Sequence, residues 1–203
     1  MRTPALTVAA CAAALSLAAC GKPLLYAEVE IADVQVTIPQ QSFPATANPP
    51  PANFCPPGTV FPAGMTCIQQ SIAYDLGKDF TDLTKDSVDY ELRLTDLAIQ
   101  LNTATAIGDF NSVYTVRVGV EANGALPAVD LATYQRSASD PNPTSIAVRA
   151  MSNVDLSPYV QSGQVAIFTR MVVDQDIPAF NADVRGDFYL RVTVDWGKKA
   201  GVF

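Results

Sequence analysis

Between Asp187 and Trp196 every second residue is apolar. Phe188, Leu190, Val192, Val194 and Trp196 alternate with Asp187, Tyr189, Arg191, Thr193 and Asp195. Side chains of an extended chain point to opposite faces in turn, so this period buries one face of a strand and wets the other. Val165, Ile167, Met171 and Val173 repeat the pattern, as do Tyr114, Val116, Val118 and Val120, and Ile146 with Val148 marks a shorter strand. Turn-forming breaks separate these runs, among them Asn123-Gly124 and Asp140-Pro141-Asn142-Pro143. Long helical periods are absent. The pattern predicts an all-β fold, an antiparallel β-sandwich of about seven to nine strands.

Two strands carry a phase error. Val29 and Ile31 are odd-numbered, whereas Val34, Val36 and Ile38 are even; Val88, Tyr90, Leu92 and Leu94 are even, whereas Leu97, Ile99 and Leu101 are odd. The flip falls at Asp33 in the first case and near Asp96 in the second. A strand keeps facing one core across such a flip if an extra residue is inserted, which predicts a bulge at each place. The alternative is a strand that crosses between sheets at a corner.

The segment 39–67 departs from the strand pattern. It holds eight of the fifteen prolines, including Pro49-Pro50-Pro51. Proline donates no ladder hydrogen bond, so the segment is expected to leave the sheet as a long irregular loop. Further on, Asp79 could cap a helix of one or two turns, with Phe80 and Leu83 three apart on one side.

The first nineteen residues have the form of a secretory leader: one charge, Arg2, and an apolar stretch from Ala5 to Leu17. That stretch is too short to cross a hydrocarbon core of ~30 Å as a helix. The next letters, Leu17-Ala18-Ala19-Cys20-Gly21, resemble the lipobox of bacterial lipoproteins. The resemblance implies cleavage before Cys20 and acylation of Cys20, which would tie the chain to a lipid bilayer. Gly21 and Lys22 lack the aspartate that retains such proteins at the inner membrane of enteric bacteria, so the outer membrane is the expected location. The expected organisation is a leader over 1–19, a lipidated tether over 20–23 and one β-sandwich domain over 24–203.

With Cys11 in the leader and Cys20 lipidated, Cys55 and Cys67 remain. An oxidising envelope favours a disulfide between them, clamping the second half of the Pro-rich loop. Two free thiols or a metal pair are the alternatives, although two cysteines without histidine make a poor zinc site.

Composition narrows the chemistry. The chain has no histidine, which removes Ser-His-Asp and Cys-His catalysis and His-ligated zinc. Its formal charge is −7, with no basic run, so nucleic acid is not an expected partner. No Walker loop, dinucleotide-binding turn or nucleophile elbow is present. The expectation is a protein that is not an enzyme. A glycoside hydrolase would need two carboxylates converging in space, which a sequence does not single out.

Two sets of residues stand out as candidate sites. Phe43, Phe54, Phe61 and Met65 lie in the Pro-rich segment and could form a contact surface. Asp174, Asp176, Asn181 and Asp183 could gather oxygen ligands for calcium in a loop at the end of a sandwich, although the run lacks EF-hand order and ordinary Asp-rich turns account for it equally well. No other cofactor is expected. The series Asp75, Asp79, Asp82, Asp86 and Asp89 reads as a solvated acidic face or a site for a cationic partner.

Asp79-Phe80, the Leu92–Leu101 strand, Asp109-Phe110, Leu126-Pro127 and the run from Val154 to Gly163 (VDLSPYVQSG) are similar to landmarks of uncharacterised bacterial β-sandwich lipoproteins. That resemblance implies the fold and carries no activity. The functional expectation is therefore a non-enzymatic binding or assembly module at the cell envelope, held by its lipid close to the bilayer, with an unknown envelope protein or glycan as partner. A carbohydrate-binding or adhesive sandwich, calcium-dependent or not, is the alternative.

Overall fold

The computed structural model describes residues 26–47, 54–75, 78, 80, 89–101, 107–137, 144–151, 153–161 and 165–195. The expected leader, Cys20, the expected tether and Trp196 lie outside them. So does most of the expected helix over 79–86, of which Phe80 is described and helical, as is Lys78 just before it.

Eight strands form the described fold: β1 (Tyr26–Phe43), β2 (Thr66–Tyr74), β3 (Asp89–Leu101), β4 (Val113–Val120), β5 (Val129–Gln135), β6 (Ser145–Ala150), β7 (Val165–Val173) and β8 (Phe180–Asp195). One short helix, α1 (Ser157–Gln161), precedes β7. The order across the sheet is β1-β8-β3-β6-β5-β4-β7-β2, and every neighbouring pair is antiparallel. Two four-stranded halves are joined at one corner by a brief pairing of β5 with β6, Ala132 to Ala150 and Thr133 to Arg149. One core draws residues from all eight strands, for example Ile38, Ile68, Ile99, Val116, Ala132, Val148, Met171 and Leu190. The expected antiparallel β-sandwich is thus present, built from a single folded-over sheet.

Both phase errors are bulges. On β1 the register steps from Ile31 opposite Leu190 to Val34 opposite Phe188. On β3 it steps from Leu94 opposite Phe188 to Asp96 opposite Asp187. Strand β8 lies between these two and keeps one phase, with Phe180, Ala182, Val184, Phe188, Leu190 and Val192 all buried. A second slip on β1, between Ile38 and Gln41, turns the buried set from Val36 and Ile38 to Gln41 and Phe43. Gln40 takes φ 54° there, and its amide donates to Asp183 Oδ1 at 2.8 Å.

This second slip corrects the expected extent of the Pro-rich loop. Residues 39–43 continue β1, and Thr66 and Cys67 already belong to β2. Pro39 is tolerated because β1 is an edge strand, where a missing donor costs least.

The expected landmarks turn out to be core contacts. Phe80 is buried edge-on against Phe188, and Phe110 edge-on against Phe180. Asp155 Oδ1 accepts hydrogen bonds from the amides of Ser157 at 2.9 Å and Leu92 at 3.2 Å, tying α1 to β3. The Tyr159 hydroxyl donates to the carbonyl of Pro127 at 2.6 Å.

Candidate functional site: a cleft under the disulfide-pinned loop

The site is built on the outer face of β2, β4, β5 and β7. Alternation sends Val116, Val118, Met171 and Ile68 into the core, so their neighbours face outward. Register then lines those neighbours up in rows across the strands. One row is Gln135, Thr115, Val172 and Cys67. The next is Arg149, Thr133, Arg117, Arg170 and Gln69. A third holds Gly119, Phe168 and Ser71.

Cys67 pins the loop to the first row. It is bonded to Cys55 with a Cα separation of 5.7 Å, which establishes the expected disulfide. Within the loop, Thr59 closes a turn by donating its hydroxyl to the carbonyl of Pro56 at 2.8 Å. The stretch from Pro56 to Pro62 then stands as a wall over the sheet, enclosing an open cleft of about 980 Å³. Arg117, Arg170, Thr115, Thr133 and Gln135 line its floor.

Each floor arginine is oriented by a neighbour. Phe168 is only 4% exposed, yet it is not part of the main core; its ring lies on the outer face over Gly119. The Arg170 guanidinium sits 5.1 Å above that ring, and its Nε donates to Gln69 Oε1 at 3.1 Å. Gln69 and Ser71 in turn donate to Glu121, at 3.3 and 2.5 Å. Arg117 meets Asp130 at 3.3 Å. Among the described residues, no carboxylate lies within ion-pair distance of Arg170.

Of the four expected contact residues, the loop presents three at or near the surface. Phe54 is 51% exposed, Phe61 is 38% exposed and lines the cleft, and Met65 is half-buried. Val60, which the sequence reading passed over, is 95% exposed on the same wall. Phe43 is a correction. It is 2% exposed and stacked on Phe180 at 4.8 Å, because the slip at Gln41 turns it inward.

The expected calcium ligands do not converge, which is a second correction. Asp174 pairs with Arg136, and Asp176 accepts from the Thr46 hydroxyl at 3.3 Å. Asn181 accepts from the Ser42 hydroxyl at 2.8 Å, and Asp183 caps the Gln40 amide. Among the described residues, no three His, Cys, Asp or Glu side chains are grouped to hold a metal ion.

A smaller cleft of about 380 Å³ lies at the other end of the sandwich, between Glu28, Tyr90, Glu91, Asp155 and Arg191. Three of its four acids are committed to structure: Arg191 bridges Glu91 and Glu28, and Asp155 holds α1, while Asp89 completes the lining. Glu91 raises the Arg191 pKa. Burial raises that of Tyr90; a hydrogen bond with Gln161 opposes the shift, and the Asp155 charge adds to it.

The sequence reading missed Arg117, Arg149 and Arg170. Each is an isolated outward-facing residue in its own strand, and only the pairing of β6, β5, β4 and β7 sets them on one line. No protein family matches the chain, and no curated protein does.

Proposed function

We propose that this is a lipid-anchored envelope protein that acts as a non-enzymatic binding or assembly module, with the cleft under the Cys55–Cys67 loop as its contact surface. The observation that carries the reading is the loop itself. A disulfide holds Val60 and Phe61 out in solvent beside a wide cleft, where burying exposed apolar side chains would favour a partner.

The lipobox at Cys20 supports the anchor, and the short tether sets its reach. Strand β1 is already formed at Tyr26, and the five residues 21–25 span at most ~18 Å. An acylated Cys20 therefore keeps the Tyr26 end of the sandwich near the bilayer. Thr66 and Val173, where the loop joins the sheet, share the opposite end with Phe43, Phe110 and Phe180. The anchored domain sits close to its membrane, with the loop end turned away from it.

The test is a photo-reactive residue placed at Val60 in native membranes. Crosslinking to an envelope macromolecule is expected there, absent from the same residue at Val29 on the far edge strand and lost in the Cys55→Ser/Cys67→Ser variant. Equal labelling from Val29, or crosslinking that ignores the disulfide, would overturn the reading.

A further inference from the structure

We infer that the cleft takes a carboxylate-bearing glycan, laid across the strands over Arg117 and Arg170 and running past the cleft to Arg149; this rests on the cleft being the binding surface. The three arginines share one register line on β6, β4 and β7, with Thr133 of β5 between the first two. Neighbouring strands are ~4.8 Å apart, so the line spaces the backbones of the three arginines over roughly 15 Å. Asp130 offsets part of the Arg117 charge, but the row keeps a positive balance on a chain of net charge −7, suited to a ligand with repeated negative groups. Guanidinium forks match carboxylates in two-point hydrogen bonds.

The remaining floor groups select the kind of anion. Thr115, Thr133 and Gln135 are neutral hydroxyl and amide groups, which both donate and accept as ring hydroxyls require. An acidic peptide is the natural competitor, but extended peptides dock mainly by adding a strand to a sheet edge. Strands β4 and β7 are paired on both sides, and β5 is paired with β6 at Ala132 and Thr133, so the floor offers mainly side chains and little open backbone ladder. A ligand here is recognised chiefly through side chains. The Phe61 ring on the wall gives an apolar surface for a sugar face, and the openness of the cleft suits a chain that enters at one end and leaves at the other.

Affinity electrophoresis of the full-length protein in detergent tests this, with sodium polygalacturonate as the probe. Two controls separate the contributions: the fully methyl-esterified polymer has the same backbone without charge, and poly-L-glutamate has the carboxylates without sugar. Polygalacturonate is expected to bind at least ten-fold more tightly than either. R117Q/R170Q should lower that affinity about ten-fold or more, R149Q less, and R185Q, on the other half of the sandwich, not at all. R170K keeps the charge but loses the fork, and should fall between wild type and R170Q; circular dichroism spectra matching wild type exclude misfolding. Equal binding of the methyl ester, equal binding of polyglutamate, no binding of polygalacturonate, or indifference to R117Q/R170Q would each overturn the inference. If polygalacturonate fails while Val60 still crosslinks in membranes, the cleft is a binding surface for a different ligand. If both fail, the cleft is not the binding surface.

Discussion

A Cβ on Gly119 would lie 2.5 Å from the Phe168 ring and 2.3 Å from the Val129 carbonyl oxygen. The ring occupies the space that a side chain would need, and Arg170 rests on the ring. Gly119→Ala should therefore lower stability by about 2–3 kcal/mol through overpacking. The denaturation midpoint measures that cost. Because the ring must move, ligand binding at Arg170 should weaken along with it.

Reducing the Cys55–Cys67 bond, or replacing both residues by serine, removes a constraint across a sequence separation of 12. In the chain-entropy view that is worth roughly 3 kcal/mol. Thermal unfolding with and without reductant should differ by about 6–12 °C for a domain of this size. Susceptibility of the 56–62 wall to proteolysis should rise in parallel, since the disulfide to Cys67 then no longer backs the Phe54–Ile68 bridge in holding the loop to the sheet.

Deleting Thr95 tests the β3 bulge. Without the extra residue the ladder runs on regularly from Leu94 to Asp96, and Leu97 and Ile99 follow Leu94 in simple alternation, still facing the core. Leu97→Ala should cost about 3 kcal/mol and leave a cooperative transition. The deletion should likewise keep a cooperative thermal transition, as read by circular dichroism.

Tyr159→Phe removes the hydroxyl that reaches the Pro127 carbonyl while keeping the buried ring. A loss of about 1 kcal/mol is expected in a denaturant titration. Hydrogen exchange should quicken around Asn123–Leu126, the turn that precedes Pro127.

Stability should fall at alkaline pH through Tyr90. Its folded pKa lies above the ordinary 10.0, chiefly because burial disfavours the phenolate. A folded pKa above the unfolded one means that the contribution is complete below pH ~10 and disappears as pH climbs through the raised value. Tyr189 shifts in the same direction, again chiefly by burial. Melting temperature against pH should bend downward above about pH 10. Tyr90→Phe should flatten that limb, and lower stability on the neutral plateau by about 1 kcal/mol through loss of the Gln161 hydrogen bond.

Alternation alone determined that this chain forms antiparallel strands, and the two phase errors located the first bulge of β1 and the bulge of β3. Both readings are local, because the side-chain period of a strand is two wherever it pairs. The disulfide was legible too, by elimination among four cysteines. The burial of Phe43 was not, since it depends on a slip at Gln41 that shows only when Ala182 and Val184 stand opposite. The candidate calcium ligands shared a composition but not a place, and each found a separate partner. Arg149, Arg117 and Arg170 belong wholly to the tertiary structure. Their strands are scattered along the chain, and only the order β6-β5-β4-β7, with its register, brings the three charges into one row. Sequence set which way each side chain points from its strand; the pairing of distant strands decided which side chains stand together.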